Sequence, residues 1–334
     1  MTIHAHAASG PKQSLKPFDY EPGPLKDDEV EVAVTHCGIC HSDVSMIDND
    51  FGMTTYPLVP GHEVVGTIAA LGRGVKNLKQ GQRVGVGWLC GTCGECEWCL
   101  RGKGHLCAQQ QAMIIAHHGG YADRVRSQAR YAIPIPDGLS SAEAAPLMCA
   151  GSTVYSPIVH QGVRAGMKTA VIGIGGLGHL AIQYLAKFGC EVTAISGTTS
   201  KEAEARRLGA TDFIATQTPD ALKKAAMRFD FILDTVSGDV PWAALFDALR
   251  PEGKLVVAGV PASELKFGAF PLILFERSLV GGRLGSAEDT ADMLAFTAAQ
   301  KIKPMIETFP MKDLNKALDH VRSGKARYRA VLTA

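Results

Sequence analysis

Four cysteines close together in the chain have the types and spacing of a metal site. Cys93, Cys96, Cys99 and Cys107 stand in the stretch CGECEWCLRGKGHLC at intervals of 3, 3 and 8 residues. Two Cys-x-x-Cys steps let a tight loop point its sulfurs at one ion, and four thiolates bind Zn²⁺ in a closed tetrahedral site. The spacing therefore predicts a structural zinc. The alternative is a surface loop of free or redox-active thiols.

Three other residues, far apart in the chain, could hold a second metal ion. Cys40, His62 and Cys149 would supply two thiolates and one imidazole. Three protein ligands with the fourth position open to a substrate are typical of catalytic zinc. Taken singly, each residue has a plainer interpretation, as a packed core cysteine or as a loop histidine. Their joint occurrence favours a catalytic zinc that the fold would have to assemble.

A glycine-rich stretch predicts a nucleotide-binding turn. Gly173, Gly175 and Gly178 form a G-x-G-x-x-G pattern between a β-prone run and a helical pattern that Gly189 ends. Between a strand and a helix, such glycines let a pyrophosphate approach the helix N-terminus. We therefore expect a dinucleotide to bind at this turn.

Strand and helix patterns keep alternating after the glycine turn. A second strand covers Glu191–Ser196, and the segment RRLGATDFIAT ends a helix and enters a third strand. Three more strands are predicted in FDFILDTVSG (229–238), GKLVVAGVP (253–261) and SLVGGRLGS (278–286). Six strands joined by helices predict an α/β domain with a doubly wound parallel sheet.

The residues after the second strand favour NADP(H) over NAD(H). An NAD site usually carries an acid there for the ribose 2′-OH, whereas a 2′-phosphate is repelled by a carboxylate. In this chain no carboxylate precedes Glu202. The alternative is that the hydroxyl residues cap a helix, and some could do both. The residues expected at the phosphate are Ser196, Thr198, Thr199, Ser200 and Lys201.

Composition narrows the class of partner. The chain has 334 residues, which suits two domains, and a formal net charge of +1 at pH 7. This near balance favours neither nucleic acid nor an anionic membrane as a partner. We find neither an apolar run long enough for a membrane span nor the pattern of a secretory signal, so a cytoplasmic location is expected. Thiols stay reduced there, so clustered cysteines favour metal over disulfides.

Over essentially its whole length the chain resembles the zinc-dependent medium-chain alcohol dehydrogenases. It is most similar to the NADP-preferring branch with cinnamyl alcohol dehydrogenases and bacterial aldehyde reductases. The resemblance implies a GroES-like β-rich catalytic domain, formed by residues 1–149 and 288–334, and an inserted Rossmann domain, formed by residues 150–287. The matching stretches are CGICHSD, YPLVPGHEVVG, the cysteine loop, APLMCAGSTVYSP, VIGIGGLGHLAIQYLAKFG and GKARYRAVL.

The resemblance also implies roles for single residues. Cys40, His62 and Cys149 match the catalytic zinc ligands, and Glu63 matches a carboxylate that can approach the metal. Ser42 matches the hydroxyl that takes part in proton transfer, although Ser45 stands where many relatives have the outer histidine of the relay. The remaining matches are His41 and Arg329 at the pyrophosphate, Thr153 beside the nicotinamide, Gly173, Gly175, Gly176, Leu177, Gly178, Thr235 and Val260 as further cofactor contacts, and Trp88 as a pocket wall or core aromatic.

The function expected from these features is a zinc- and NADP(H)-dependent alcohol dehydrogenase or aldehyde reductase. Two Zn²⁺ ions per subunit, an aromatic or medium-chain aldehyde as substrate, and a homodimer or tetramer are expected. Two alternatives stay open. One is a polyol or sugar dehydrogenase on the same scaffold, although such enzymes usually have a carboxylate in place of the Cys149 thiol. The other is a catalytically silent binding protein.

Overall fold

The computed structural model describes residues 1–261 and 264–334. The chain forms two compact units, the first made of Met1–Ser152 with Gly285–Ala334 and the second of Thr153–Leu284. The boundaries expected from the sequence, after residues 149 and 287, each lie three residues from those of the units.

Seventeen strands are present in the described residues. They are β1 (Ile3–Ala7), β2 (Lys16–Tyr20), β3 (Glu29–Ile39), β4 (Val64–Leu71), β5 (Arg83–Val86), β6 (Leu89–Gly91), β7 (Gln111–Ala112), β8 (Arg124–Gln128), β9 (Ile133–Pro134), β10 (Lys168–Ile172), β11 (Glu191–Ser196), β12 (Asp212–Ala215), β13 (Phe229–Asp234), β14 (Leu249–Val257), β15 (Ser278–Gly281), β16 (Ile306–Pro310) and β17 (Arg329–Thr333).

Ten α-helices connect or cover these strands in the same part of the chain. They are α1 (His41–Asp48), α2 (Glu97–Leu100), α3 (Ser141–Pro146), α4 (Ser152–His160), α5 (Gly178–Lys187), α6 (Glu202–Arg207), α7 (Trp242–Ala248), α8 (Phe270–Leu274), α9 (Ala287–Ala299) and α10 (Leu314–Arg322). A π-helical turn, Leu147–Gly151, lies between α3 and α4. None of the helices in the described residues combines the length and apolar character needed to cross a membrane.

The first unit is built around a seven-stranded sheet. Its strands follow in the order β16-β17-β3-β4-β5-β9, and β8 pairs with β3. The antiparallel register places Ala330 opposite Ile39 and Val64 opposite Cys37. The end of β3, the start of β17 and the chain before β4 therefore meet at one edge of the sheet.

The second unit contains six parallel strands in the order β12-β11-β10-β13-β14-β15. This is the doubly wound order, so the predicted Rossmann-type sheet is confirmed. The strand order reverses between β10 and β13, and ligands of such sheets bind in the crevice beyond the strand ends at that point. The glycine turn joins β10 to α5 there, and α5 ends just before Gly189, whose φ is +83°.

Candidate functional site

Four side chains from three parts of the chain converge in the first unit. Cys40 directly precedes α1, His62 and Glu63 directly precede β4, and Cys149 lies in the π-helical turn. One ligand atom of each side chain lies within 4.8 Å of those of the other three. The pairing of β3 with β4 and the turn after α3 thus assemble a single donor set from distant segments.

Asp43 organises this donor set from inside α1. Its carboxylate is fully buried and accepts hydrogen bonds from Nδ1 of His62 at 2.9 Å, from the amide of Gly61 at 2.8 Å and from the amide of Cys40 at 3.0 Å. Because Nδ1 donates to a carboxylate, Nε2 is the ring atom that faces the donor set. The sequence reasoning did not single out Asp43, although it stands three residues after Cys40 at the start of a helix.

The two thiols of the set interact directly. The hydrogen bond between them lowers the pKa of Cys40 and raises the pKa of Cys149, as expected when two sulfurs share one proton. Burial acts in the opposite direction on Cys40 because a thiolate loses its hydration there. A cation bound between the sulfurs would replace that proton and favour both thiolates.

Glu63 and Arg329 form a buried ion pair beside the thiols. Nη2 of Arg329 donates to Oε1 of Glu63, and the Glu63 side chain is fully buried. Burial raises the pKa of Glu63 to about 8, and Arg329 opposes that rise. Burial disfavours the charge of Arg329, but the Glu63 carboxylate raises its pKa overall. Arg329 was expected at a pyrophosphate, and here its guanidinium is engaged by Glu63.

Two buried polar atoms of the four-residue donor set have no hydrogen-bond partner within residues 1–261 and 264–334. They are Nε2 of His62 and Oε2 of Glu63. A buried polar atom left unpaired costs about 1–3 kcal/mol. A metal ion would remove that cost, and two thiols with an imidazole are donors that suit zinc. The residues present therefore fit a zinc ion held by Cys40, His62 and Cys149, with Glu63 beside them.

The surroundings of the donor set include two further residues with predicted roles. The ring of Trp88 lies edge-on to His62, with 5.1 Å between the ring centroids. Sγ of Cys40 lies 3.7 Å from Oγ of Ser42. His41 is the first residue of α1 and is exposed. Trp88 and Ser42 thus lie against the donor set.

The outer proton relay has no histidine at its usual place. Ser45 occupies that position and is buried in α1. Asp48, which could have replaced it, accepts a hydrogen bond at 2.7 Å from Nη2 of Arg322 on α10. Asp50 is exposed just after the helix. The geometry therefore assigns none of these three residues to a relay.

The second donor set lies in the cysteine loop of the first unit. Sγ of Cys93 lies 3.5 Å from Sγ of Cys107 and 3.9 Å from Sγ of Cys99. The four sulfurs, including that of Cys96, lie within 4.8 Å of one another. No disulfide involves them, because all nine cysteines of the chain are free. Four thiols in this arrangement fit the closed ligand set of a structural zinc.

Side-chain hydrogen bonds join the start of the cysteine loop to the chain at the end of β8. The side chain of Gln128 accepts from the amide of Thr92 at 2.8 Å and donates to its carbonyl at 3.1 Å. The hydroxyl of Tyr131 donates to Oγ1 of Thr92 at 3.1 Å. Cys90 lies outside the ligand set and is packed in the core. The two ends of the loop are also held together, because β6 pairs with β7, so a bound metal would order the segment between them.

The second unit contains a cleft of about 470 Å³ at the strand ends. At its back, an added Cβ on Gly178 would overlap the carbonyl oxygen of Gly173, so a glycine is required where α5 begins. Oγ1 of Thr235 donates to the carbonyl of Ile172 at 2.7 Å and backs the glycine turn. Of the predicted cofactor residues, the cleft is lined by Gly173, Gly175, Ser196, Lys201 and Thr235.

The predicted phosphate residues occupy different positions around this cleft. Nζ of Lys201 donates to the carbonyl of Ile174 at 2.6 Å, which brings the cation to the glycine turn. Thr198 is exposed and accepts from the amide of Ser200, so it caps the short helical turn that follows. Thr199 is also exposed. Among these hydroxyl residues, Thr198 therefore has the helix-capping role that the sequence offered as the alternative.

Within the described residues, the other predicted cofactor residues are not part of the lining of this cleft. Val260 is 66% exposed. Thr153 lies in the first turn of α4. Gly176 and Leu177 complete the glycine turn, with Leu177 directly before α5. The acid Asp239, which the sequence reasoning did not mention, is part of the cleft wall.

Comparison with known proteins decides the family. Residues 26–137 match the family model of the alcohol dehydrogenase GroES-like domain, and residues 176–299 match that of the zinc-binding dehydrogenases. Aldehyde reductase AdhA of Synechocystis sp. is 44% identical over 331 residues, which are 99% of this chain and 98% of that protein. The chain belongs to the zinc-binding alcohol dehydrogenase family. The resemblance inferred from the sequence is thus confirmed.

Solved structures extend this likeness to the whole of this alcohol dehydrogenase. A cinnamyl alcohol dehydrogenase of Sorghum bicolor has a TM-score of 0.95 and 34% identity, and the match covers 100% of this chain and 98% of that one. CAD from Helicobacter pylori, solved in complex with NADP(H), has a TM-score of 0.90 and 28% identity over 100% and 98% of the two chains. The predicted fold class and the assignment as an oxidoreductase are therefore confirmed.

Proposed function

We propose that this alcohol dehydrogenase reduces aldehydes with NADPH at a zinc ion held by Cys40, His62 and Cys149. One observation carries the proposal: these three side chains converge in a buried group, and Nε2 of His62 has no partner there among the described residues. Similarity to an aldehyde reductase and to a structure that contains NADP(H) supports the reaction and the cofactor. Aromatic and medium-chain aldehydes are the proposed substrates.

When bound, zinc polarises a carbonyl oxygen as a Lewis acid and NADPH supplies a hydride. The residues of the chain orient the ligands and handle the proton. Asp43 holds His62 so that Nε2 stays available, and the Ser42 hydroxyl is proposed to hold the proton that the alcohol product receives. The apolar edge of Trp88 against His62 is proposed to exclude water from the reacting carbonyl.

The cofactor preference rests on the cleft of the second unit. Ser196 and Lys201 line it, and the segment from Ser196 to Lys201 carries no carboxylate. A cation and hydroxyl groups bind a 2′-phosphate, whereas an acid at this place would favour the 2′-OH of NADH. The remaining contacts are proposed from the family resemblance alone: His41 and Arg329 at the pyrophosphate, Thr153 beside the nicotinamide, and Val260 as a further cofactor contact.

We also propose that two copies of the chain associate through the second unit. Phe270 and Ile273 of α8 are 71% and 73% exposed, and Val260 is 66% exposed. Apolar side chains this exposed are typical of an interface. Strand β15 is the last strand of the parallel sheet and pairs on one side with β14. Ala262 and Ser263, which lie between β14 and α8 in the chain, are outside the described residues.

Light scattering after size exclusion tests this association. A homodimer is expected for the wild type, and Ile273→Glu should shift it toward the monomer because a charge is buried in the contact. A wild type that stays monomeric at high concentration contradicts the proposal. A tetramer that the substitution leaves intact places the contact elsewhere.

Steady-state kinetics with NADPH and NADH across an aldehyde panel, together with metal analysis, tests the proposed reaction. We expect kcat/KM with NADPH to exceed that with NADH by about tenfold or more, since each charged hydrogen bond contributes about 1.5–3 kcal/mol. Two zinc ions per subunit are expected. Fully active protein with zinc in the cysteine loop alone contradicts the proposal. Faster polyol oxidation favours the polyol alternative, and nucleotide binding without turnover favours a silent binding protein.

A further inference from the structure

A buried carboxyl group at the end of β13 is not used by the proposed reaction. Asp234 is fully buried, and it is the last residue of the strand that follows the order reversal of the parallel sheet. One oxygen, Oδ2, has no hydrogen-bond partner in the part of the chain that the structure describes. A buried acid is costly to retain, so its contacts call for an explanation.

Asp234 forms hydrogen bonds with the two loops that follow the neighbouring strands β13 and β14. Its Oδ1 accepts a hydrogen bond at 3.1 Å from the amide of Val236, in the loop after β13. Its backbone carbonyl accepts from the amides of Ala258 and Gly259, at 2.9 and 3.1 Å, in the loop after β14. An added Cβ on Gly259 would overlap the carbonyl oxygen of Val236, so these loops are in close contact.

The loop after β13 forms one wall of the nucleotide cleft. Thr235, Val236, Ser237, Asp239, Val240 and Pro241 all line the cleft. Thr235 and Val236 also support the glycine turn, since a Cβ on Gly173 would lie 3.2 Å from Oγ1 of Thr235 and from Cγ2 of Val236. A shift of this loop would therefore change the wall of the cleft and the shape of the turn together.

We propose that Asp234 is a positioning residue for the nucleotide: its carboxyl fixes Val236 and thereby the wall that faces the adenosine half of the cofactor. The inference rests on the proposed use of NADP(H) in this cleft. Because Asp234 acts through the backbone, the acceptor oxygen matters more than the charge. An asparagine keeps that acceptor, whereas an alanine leaves the Val236 amide unpaired.

Binding of the fragment 2′,5′-ADP, measured by calorimetry on the full chain, tests the proposal. We expect Asp234→Ala to weaken binding about tenfold, as expected for the loss of one hydrogen bond, and Asp234→Asn to stay within about threefold of the wild type. At saturating NADPH, kcat should change less than twofold in both variants. Amide hydrogen exchange at residues 234–241 should quicken in Asp234→Ala.

Asp230→Ala is the matched control. Asp230 lies on the same strand, at the opposite end from the cleft, and its carboxylate also accepts from a backbone amide, that of Lys168, at 2.8 Å. This variant should lose stability while its affinity for 2′,5′-ADP is unchanged.

The outcomes separate this inference from the proposed function. A wild type that does not bind 2′,5′-ADP contradicts NADP(H) use. A wild type that binds it, with Asp234→Ala binding equally well, overturns the positioning role. Equal losses in Asp234→Ala and Asp234→Asn also overturn it, because the acceptor oxygen would then not be the determinant. If Asp234→Ala does not fold, two other measurements test the positioning role. They are the binding of 2′,5′-ADP by Asp234→Asn and the exchange rate of the Val236 amide in the wild type with and without 2′,5′-ADP.

Discussion

The carboxylate of Asp43 accepts a hydrogen bond from Nδ1 of His62 at 2.9 Å, and both side chains are fully buried. This contact orients the ring and makes it a stronger ligand. We expect Asp43→Ala to weaken zinc binding at the three-ligand set by about 10- to 100-fold. Competition with a chelator measures the affinity, and Asp48→Ala, on the same helix but paired with Arg322, is the control. Unchanged zinc affinity in Asp43→Ala would contradict this role.

Removal of one thiol from the three-ligand set should slow aldehyde reduction and leave nucleotide binding nearly unchanged. We expect Cys40→Ala and Cys149→Ala to lower the rate of aldehyde reduction by roughly a thousandfold or more, because the carbonyl is no longer polarised. Affinity for NADPH, measured by fluorescence titration, should stay within about twofold. Cys190→Ala, in the second unit, should keep normal turnover. Near-normal turnover in either ligand variant would show that the site is wrongly assigned.

The cysteine loop should behave as a structural element. Cys107→Ala should lose one of two zinc ions and lower the Tm by roughly 5 °C or more, since metal binding contributes directly to folding. Metal analysis and thermal unfolding measure both effects. Cys90→Ala is the control, because Cys90 is buried nearby but lies outside the ligand set. Loss of activity without loss of zinc or stability would argue for a different role of the loop.

Lys201 should decide part of the nucleotide preference. Its Nζ lies at the glycine turn, 2.6 Å from the carbonyl of Ile174. Lys201→Ala should raise the Kd for NADPH about tenfold and leave that for NADH nearly unchanged, because a charged contact to the 2′-phosphate is lost. Lys187→Ala, at the exposed end of α5, should affect neither. An equal loss for both nucleotides would place Lys201 away from the 2′-phosphate.

Asp234 should also affect stability in a pH-dependent way. Burial raises its pKa from 3.8 to about 6, while the Val236 amide opposes the rise. A carboxyl with a raised pKa stabilises the fold below its unfolded pKa, and this contribution is lost as the pH rises through about 6. Relative to Asp234→Asn, the wild type should lose roughly 2 kcal/mol of unfolding free energy between pH 4 and pH 7. Urea unfolding at these pH values measures it, and a constant difference would contradict the raised pKa.

Several features could be predicted because they depend on neighbours in the sequence. The Cys-x-x-Cys steps, the glycine turn and the alternation of strands with helices are set by spacing within about twenty residues. The capping role of Thr198 could be anticipated in the same way. Asp43 could have been found by the same kind of signal, because an acid three residues into a helix often bonds the preceding amides.

The sequence by itself determined the family, the doubly wound sheet and the cysteine loop, since these follow from local spacing and residue type. The tertiary structure decided what depends on strand pairing. The register of β17, β3 and β4 brings Arg329 to Glu63 and His62 to Cys40, and a π-helical turn adds Cys149. It also buries Asp234 where the loops after β13 and β14 meet. No local pattern encodes such contacts, because their energy comes from surfaces that meet after the chain has folded.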